Sequence, residues 1–317
     1  MAKKIADTKK MTHEDWLELR KSSIGGSDAA TCVNMNQYSS LITLYANKKG
    51  LSKDREDSEA MRLGRDLEQY VAERFCEKEG KKVRNDFFMY ADDEYDFLTA
   101  NIDRRVVGEN AGLEAKTMGS FNGYNLEAGE IPSHYYCQVQ HYMMVLGFSK
   151  MYLAILVLQR GLYTFEIERN DDFIRQMRDA EVDFWTNYIQ KDVVPEPDGS
   201  DASLATLKEF YPKSAKGTEV TIPGLDRLVQ DYKAAAEREK EAKELKTTIQ
   251  SQICAKLGSN EVGLGVAYGV SWKSQSKESI DAKRLKAELP QVYAKYAKVS
   301  DYRVFRTKQM KSKKKGA

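Results

Sequence analysis

The sequence predicts an α/β fold in which helices flank a mixed central sheet, followed by a long C-terminal helix and a small α+β extension. Two observations predict this fold. Short segments rich in aromatic and β-branched residues alternate with helical patterns as far as residue 190, and a charged, alanine-rich run with regularly spaced apolar residues follows later. At roughly 150 residues per domain, 317 residues suggest either two domains or one domain with a sizeable extension.

Caps and apolar spacing mark the helices of the first part of the chain. The first helix is predicted to begin after the N-cap Thr12, and residues 1–11 before it are expected to be a flexible basic arm. Ser27, which follows two glycines, is expected to cap a short second helix. A third helix over 58–78 carries an apolar stripe at four-residue steps, and Glu68 lies beside that stripe.

The middle of the chain is predicted to form the sheet. Strands are expected at five segments rich in aromatic and β-branched residues, namely Phe87–Tyr90, Phe97–Val107, Leu113–Thr117, Met151–Leu158 and Leu162–Glu168. One helix is expected over Ser133–Leu146 and an amphipathic helix over Asp172–Gln190. The alternation of strands and helices predicts a core domain over residues 12–194.

A change in composition at 194–199, which contains two prolines and a glycine, predicts a linker, so residues 195–307 are expected to form an extension. Its main element is a long helix over 225–257, either a surface helix or a coiled-coil arm. A hairpin, a helix and a strand are expected at Val262–Trp272, Ala282–Leu289 and Tyr302–Arg306. The basic end at 308–317 is predicted to be disordered.

Composition excludes several classes of protein. Hydrophobic residues make up 41% of the chain, which is enough for a packed core and excludes a wholly disordered protein. No apolar run approaches the ~20 residues of a membrane span and the N-terminus has no apolar signal segment, so a cytoplasmic protein is expected. The four cysteines and three histidines are scattered, which predicts free thiols and disfavours zinc or iron–sulfur sites. The net charge of +2 means that a nucleic-acid site must be a local patch.

Two carboxylates and a lysine form the most informative pattern in the chain. Glu114 and Lys116 are two positions apart on one predicted strand, so both side chains project from the same face, and Asp103 is expected on the adjacent strand. Such carboxylates suit a hard divalent cation that stabilises an in-line phosphodiester displacement and lowers the pKa of the attacking water. Lys116 would then contact that water or a phosphate oxygen. The alternative is an exposed Glu–Lys pair on a solvated sheet face.

Four further side chains fit the same chemistry. Glu68 lies on the buried-edge side of its helix, where a carboxylate needs either a metal or an arginine as its partner. Gln138 interrupts an apolar helix and is expected either to orient the water or a ligand, or to lie on the helix surface. Arg20 and Ser27 flank the glycine turn, where N–H groups at a helix N-terminus attract a phosphate that Arg20 would clamp.

In this order, the residues resemble the family of lambda exonuclease and the YqaJ-like viral recombinases, within the PD-(D/E)xK nuclease superfamily with its restriction-endonuclease-like core. The similarity covers residues 12–190, and its motifs are WLELRKSSIGGSDAA, GRDLE, NID with LEAKT, and YCQVQHYMMVLG. The chain departs from the family in two places. Asn101-Ile102 precede Asp103 where the family often has proline or serine, and residues 36–39 lack the second phosphate-binding arginine expected there.

The resemblance implies a role for each candidate residue. It assigns catalysis to two metal ligands, a glutamate and a glutamine that support the metals and the water, and a lysine that polarises the nucleophile: Asp103, Glu114, Glu68, Gln138 and Lys116. It implies that Arg20 and Ser27 hold the 5′-phosphate of the product strand. Met61 stands where a family residue wedges the duplex end apart, with core packing as its alternative role.

The resemblance also implies a complete activity. The chain would be a processive Mg²⁺-dependent 5′-to-3′ exonuclease with two metal ions, Mn²⁺ being the alternative cation. It would degrade one strand of linear double-stranded DNA and leave a 3′ overhang for a single-strand annealing protein in phage-type homologous recombination. It would be a phage or prophage protein in a bacterial host, and the related minimal enzymes imply a trimeric ring that encloses DNA.

Other functions stay open on the sequence alone. One is a nuclease of different polarity or structure specificity, and an iron–sulfur nuclease is disfavoured by the scattered cysteines. Another is a non-catalytic DNA-binding or anti-repair protein on a nuclease fold, although a dead site has no physical reason to keep two mutually repelling carboxylates. A coiled-coil interaction protein would leave the first 190 residues unexplained.

Overall fold

The computed structural model describes residues 2–52, 57–121, 123–299 and 302–309. It divides the chain into two units, residues 1–211 and 212–317. Among the described residues, no helix has the length and apolar character needed to span a bilayer.

The first unit alternates strands and helices. Its elements are β1 (Lys3–Asp7), α1 (His13–Lys21), β2 (Ile24–Gly25), α2 (Gly26–Cys32), α3 (Leu41–Lys48), α4 (Glu59–Glu79), β3 (Val83–Asn85), β4 (Phe88–Ala91), β5 (Leu98–Ala100), β6 (Arg104–Val106), β7 (Ala111–Met118), α5 (Ser133–Leu146), β8 (Lys150–Val157), β9 (Gly161–Glu168), α6 (Asp171–Phe184) and α7 (Asp201–Phe210). A π-helical turn at Trp185–Ile189 continues α6.

Two mixed sheets form the centre of this unit. The larger has the strand order β3-β6-β7-β8-β9, in which β7 and β8 are parallel and the other neighbours antiparallel. The smaller has the order β1-β4-β5-β2, with β5 and β2 parallel. The predicted α/β class with mixed sheet pairing and flanking helices is therefore confirmed, with two sheets where one was expected.

Strand β7 separates two apolar clusters. Leu113 belongs to a small cluster with Phe75 of α4 and Tyr152 of β8, so this face of the strand is covered by α4. The larger cluster includes Val139 of α5 and Leu153 of β8, on the other side of the sheet. Because successive side chains of a strand alternate between faces, Glu114 and Lys116 lie on the side away from α4.

The N-terminal segment corrects one expectation. Residues 3–7, predicted to be part of a flexible arm, form β1 and pair with β4 from Lys3↔Ala91 to Asp7↔Phe88. The main-chain N–H and C=O groups of β4 form hydrogen bonds with this short segment and thereby order it. Pairing between segments more than eighty residues apart leaves no local signal in the sequence.

The strand expected over residues 97–107 is also corrected, because the structure interrupts it after β5 and resumes it as β6. Asp103 therefore lies in a bend one residue before β6 rather than within a strand. The Asn101 amide donates to the carbonyl oxygen of Phe88 at 3.3 Å, and Asp103 accepts from a backbone N–H of β7. These side-chain contacts replace the strand ladder at the break.

The boundary of the first unit lies after helix α7. The sequence predicted a boundary after residue 194, but the first unit extends to Tyr211. Helix α7 packs on α3, where the hydroxyls of Thr43 and Thr206 are 2.7 Å apart. The predicted linker at 194–199 is therefore a connection inside the first unit.

The second unit contains α8 (Leu225–Leu257), a hairpin of β10 (Val262–Leu264) and β11 (Gly269–Ser271), α9 (Ala282–Glu288) and α10 (Pro290–Tyr296). Helix α8 has the predicted bounds, and the hairpin and α9 agree with the predicted elements. The prediction of a strand at Tyr302–Arg306 is wrong, because this segment has no strand conformation in the structure. The two-stranded sheet of this unit consists of β10 and β11. The predicted disordered end lies largely outside the described residues.

Candidate active site

Strand β7 places a buried glutamate at the centre of the site. Glu114 is only 3% exposed, and its Oε1 accepts hydrogen bonds from Lys116 Nζ at 2.5 Å and from Gln138 Nε2 at 2.7 Å. Its other carboxylate oxygen, Oε2, is buried and has no hydrogen-bond partner among the described residues. The exposed Glu–Lys pair considered from the sequence is thereby excluded, since Glu114 is not solvated.

Gln138 on α5 is buried rather than on the helix surface. Its amide nitrogen donates to Glu114 and also to Tyr142 Oη at 2.9 Å. Helix α5 can approach this closely because Gly26 opens the facing helix α2. A Cβ on Gly26 would lie 2.6 Å from the Tyr142 ring and 3.0 Å from Gln138 Cγ. The second glycine of the motif therefore serves close packing beside the site.

Asp103 is fixed against the same strand. Its Oδ2 accepts the backbone N–H of Ala115 at 2.8 Å, between Glu114 and Lys116 in sequence. Burial and the negative charge of Glu114 raise the pKa of Asp103 well above its usual range. Burial also raises the pKa of Glu114, although Lys116 opposes that rise. Burial alone would lower the pKa of Lys116, but Glu114 and Asp103 outweigh it and raise that pKa.

Glu68 on α4 has an arginine partner, one of the two partners that the sequence left open. Arg104 Nη1 donates to Glu68 Oε1 at 2.5 Å and to the carbonyl oxygen of Asp103 at 2.8 Å. Its Nη2 donates to Gln69 Oε1 at 3.1 Å. Sequence reasoning missed Arg104, for which the available signal was its position directly after the candidate ligand Asp103.

The donor set suits a hard cation in part. Asp103 and Glu114 converge, and the unpartnered Oε2 of Glu114 is a buried anionic oxygen that a cation would satisfy. Within the described residues, however, no three His, Cys, Asp or Glu side chains are grouped closely enough to hold a metal. Glu68 is not brought in as a third ligand here, since Arg104 binds it. The residues present therefore fit a cation held by two carboxylates and water.

A cavity of about 780 Å³ opens between α1 and α4 above these carboxylates. Its lining includes Trp16, Arg20, Met61, Glu68, Asp103 and Lys116. A second cavity of about 230 Å³ shares Arg20, Asp103 and Lys116 with it and adds Ser27 and Gln138. Seven of the eight predicted site residues thus line two adjoining cavities, and Glu114 lies behind their wall. Met61 is 48% exposed, which excludes the core-packing role considered for it.

The polar end of the site is formed by α1 and α2. Arg20 Nη2 donates to Ser27 Oγ at 2.6 Å, and the guanidinium of Arg20 lies 4.6 Å from the centre of the Trp16 ring. Ser27 is not the N-cap, which corrects the prediction. Gly25 caps α2, and its backbone N–H donates to the Asp28 carboxylate at 3.0 Å. The Ser27 hydroxyl therefore bonds to Arg20 instead of capping the helix.

A buried ion pair that the sequence did not reveal holds this end together. Lys48 of α3 is 5% exposed at its side chain, and its Nζ lies 2.6 Å from Asp28 Oδ2. The same ammonium donates to the carbonyl oxygen of Arg20 at 2.8 Å. Burial would raise the pKa of Asp28, but Lys48 and Arg20 outweigh it and lower that pKa. Lys48 thus connects α3 to both segments that carry Arg20 and Ser27.

A second buried pair was also missed. His141 of α5 and Glu181 of α6 are fully buried, with His141 Nδ1 2.8 Å from Glu181 Oε1. His141 Nε2 lies 2.9 Å from the carbonyl oxygen of Thr99 in β5. This histidine supports the strand that leads to the bend carrying Asp103. A lone histidine in an apolar helix gave no signal of its partners.

Comparison with known proteins gives consistent matches. Residues 15–149 match the family model described as the YqaJ-like viral recombinase domain. The chain is 34% identical over 313 residues to YqaJ of Bacillus subtilis (strain 168), an uncharacterised protein, with 98% of each chain covered.

Solved structures with some similarity are two of an alkaline exonuclease from Laribacter hongkongensis, one of them in complex with dAMP, and one of a phage-related exonuclease from Haemophilus somnus 129PT. The first two have 16% and 17% identity and TM-scores of 0.46 and 0.47, and each covers 57% of this chain and 94% of its own. The third has 12% identity and a TM-score of 0.43, and the match covers 54% of this chain and 96% of its own. Because its relative in Bacillus subtilis matches it over nearly the whole length of both chains, this chain belongs to the YqaJ-like viral recombinase family.

Proposed function

We propose that the chain is a Mg²⁺-dependent exonuclease that degrades the 5′-ended strand of linear double-stranded DNA. The product would be a 3′ single-stranded overhang, the substrate of single-strand annealing recombination. One observation carries the proposal. Asp103 and Glu114 lie together with Lys116 beside a cavity that Arg20 and Met61 also line. Carboxylates, a lysine and an arginine beside one cavity are the groups that phosphodiester hydrolysis needs.

Asp103 and Glu114 would hold the cation, with Oε2 of Glu114 as the oxygen that lacks another partner. Mg²⁺ in this position supplies positive charge against the developing charge of an in-line displacement and lowers the pKa of the attacking water. Two ions are proposed, with Mn²⁺ as the alternative. Glu68 would join the second ion's ligands only by exchanging its bond with Arg104, which competes for the same carboxylate.

Lys116 is proposed to act on the reacting groups, and Gln138 is proposed to orient the Glu114 carboxylate. Glu114 and Asp103 raise the pKa of Lys116, so its ammonium group is proposed to stabilise anionic oxygen at the phosphate or the nucleophile. Gln138 donates to the same Glu114 oxygen as Lys116 does, which keeps the carboxylate oriented. The attacking water oxygen would form the new bond to phosphorus and lose its proton to solvent, while the bond to the 3′-oxygen of the terminal nucleotide breaks. That nucleotide would leave with a 3′-hydroxyl, protonated from solvent, and the shortened strand would keep the new 5′-phosphate.

Arg20 and Ser27 are proposed to hold the terminal 5′-phosphate. Their side chains are already hydrogen-bonded, so a guanidinium and a hydroxyl donor face the small cavity together. An arginine fork binds phosphate oxygens with charge-assisted hydrogen bonds. Met61, exposed at the wall of the larger cavity, would separate the end of the duplex.

End-labelled DNA tests the activity and its polarity. Purified protein would be incubated with linear duplex labelled at either the 5′ or the 3′ end, with Mg²⁺ or with EDTA. The proposal expects early release of the 5′ label as mononucleotide, with Mg²⁺ only. The matched variants are Lys116→Met in the site and Lys150→Met on neighbouring strand β8, of which only the first should be inactive. Release of the 3′ label first would overturn the polarity, and binding without degradation would leave a non-catalytic DNA-binding protein.

The proposed assembly follows from the family resemblance. A trimeric ring would enclose the duplex and explain processive action by a chain of small net charge. The proposed partner is a single-strand annealing protein that takes over the 3′ overhang. Sedimentation of the full chain, of 36.1 kDa, would show a particle of about three chains if the ring forms.

Metal binding can be tested without activity. Replacing Asp103 with asparagine removes one of two neighbouring buried carboxylates while keeping an oxygen for the Ala115 N–H. We expect the variant to melt a few degrees higher than the wild type in EDTA, since one kcal/mol corresponds to about 2–4 °C in a unit of this size. Excess Mg²⁺ should raise the melting temperature of the wild type but not that of the variant. An equal Mg²⁺ response in both proteins would exclude Asp103 as a ligand.

Lys48 is expected to support the phosphate site without touching DNA. In Lys48→Met the Asp28 carboxylate loses its buried cation and Arg20 loses the bond to its carbonyl oxygen. We expect the preference for 5′-phosphorylated over 5′-hydroxyl duplex to fall about tenfold, mainly through KM. Lys49→Met is the control, because Lys49 pairs with Asp192 instead. An unchanged preference in an active Lys48→Met protein would exclude this role.

A further inference from the structure

The net charge of the chain is divided unevenly between its two units. Residues 1–211 contain 27 Lys and Arg against 36 Asp and Glu, a net charge of −9. Residues 212–317 contain 23 Lys and Arg against 12 Asp and Glu, a net charge of +11. The total of +2 conceals this division. A unit with net negative charge repels a polyanion at long range, so a long-range attraction for DNA has to come from the other unit.

The positive charge is concentrated after α8. Residues 212–261 contain nine basic and eight acidic residues, whereas residues 262–317 contain 14 basic and four acidic ones. Four carboxylates cannot neutralise 14 cations, even though Arg284 and Glu288 form an ion pair. The described lysines of this segment are exposed, among them Lys273, Lys298 and Lys308. These described lysines therefore carry positive charge in contact with solvent.

Exposed aromatic side chains accompany these cations. Tyr268 is 86% exposed, Tyr302 80% and Phe305 72%, and Trp272 and Tyr296 are exposed as well. Trp272 is followed by Lys273, and Arg303 and Arg306 flank Phe305 closely in sequence. A solvated basic tail needs no aromatic residues. Basic residues interleaved with accessible aromatic rings are the combination with which proteins bind single strands, through phosphates and through base stacking.

We propose that residues 262–299 and 302–309 form a binding surface for single-stranded DNA. The lysines and arginines contact phosphates, and the exposed tyrosine, tryptophan and phenylalanine rings stack on unpaired bases. Duplex DNA is the weaker candidate, because its bases are stacked on one another and offer no free faces to these rings. The inference rests on the proposed function only in that DNA is the substrate, since hydrolysis plays no part in it.

Binding in EDTA tests this surface apart from nuclease activity. The full chain would be titrated into a fluorescent single-stranded oligonucleotide, and into the corresponding duplex, at two salt concentrations. The charge variant is Lys273→Gln/Lys298→Gln/Lys308→Gln. Its matched control is Lys233→Gln/Lys243→Gln/Lys246→Gln, which removes the same charge from α8. The stacking variant is Trp272→Ala/Tyr302→Ala.

Two results, one for each variant, together support the surface. The charge variant should bind the single strand at least about tenfold more weakly and with a smaller salt slope than the control variant. The stacking variant should also lose about tenfold for the single strand, while its duplex affinity stays unchanged. Equal affinities of the charge variant and its control would overturn the location of the site. Equal losses of the stacking variant for both DNA forms, or no binding by the wild type, would overturn the assignment to single strands. If the wild type binds in EDTA but never degrades DNA, only the proposed nuclease function fails.

Discussion

A Glu114→Gln chain is expected to degrade linear duplex DNA at least about a thousandfold more slowly than the wild type with Mg²⁺ present. Glutamine keeps the volume of the side chain and an oxygen that accepts from Lys116 and Gln138, so β7 and α5 stay in contact. It removes the negative charge and replaces the unpartnered Oε2 with an amide nitrogen, which cannot bind a cation. The loss therefore belongs to the chemical step and not to folding.

The rate would be measured in single turnover with pre-bound DNA, so that binding does not contribute. Glu166→Gln is the matched control, because Glu166 is a half-exposed glutamate on β9 of the same sheet and pairs with Lys150. We expect the control to retain wild-type rates, and both variants to share the wild-type melting temperature within a few degrees. A Glu114→Gln protein with more than a tenth of the wild-type rate would remove Glu114 from the metal site.

The sequence predicts the relative positions of site residues that lie close together on one secondary-structure element. The two-residue period of a strand is enough to place Glu114 and Lys116 on one face, and the structure brings them together. Arg104 and Lys48 could not be found in this way, because each acts on residues of other elements. Arg104 binds a glutamate 36 residues earlier, and Lys48 binds an aspartate 20 residues earlier. Such contacts depend on the packing of helices that local patterns do not position.

The same difference between local patterns and contacts with distant elements determined which helices and strands could be predicted. Helix α4 begins after the cap Ser58 and ends before Gly80, which is in the left-handed conformation, so its own residues define it. Strand β1 depends on β4, and the limit of the first unit depends on the contact of α7 with α3. The charge division was concealed for another reason, since a total charge adds the two units together.

The second large effect concerns stability and the buried pair of His141 and Glu181. With Nε2 donating to the Thr99 carbonyl, the protonated imidazole also donates to Glu181. Burial alone would lower the pKa of His141, but Glu181, the Thr99 carbonyl and Asp28 outweigh it and raise that pKa. A histidine with a raised folded-state pKa stabilises fully below its unfolded pKa of about 6.5, and that contribution is lost as pH rises through the folded value.

Glu181→Gln is therefore expected to cost about 3 kcal/mol of unfolding free energy at mildly acidic pH, the cost of breaking a buried pair. In a unit of this size that loss corresponds to roughly 6–12 °C of melting temperature. The deficit should shrink as pH rises, because the wild type loses the protonated pair while the glutamine variant never had it. Thermal unfolding from pH 6 to pH 9, with Asp179→Asn on the exposed face of α6 as control, measures both. A deficit independent of pH would mean that glutamine disturbs packing only and that His141 is neutral throughout.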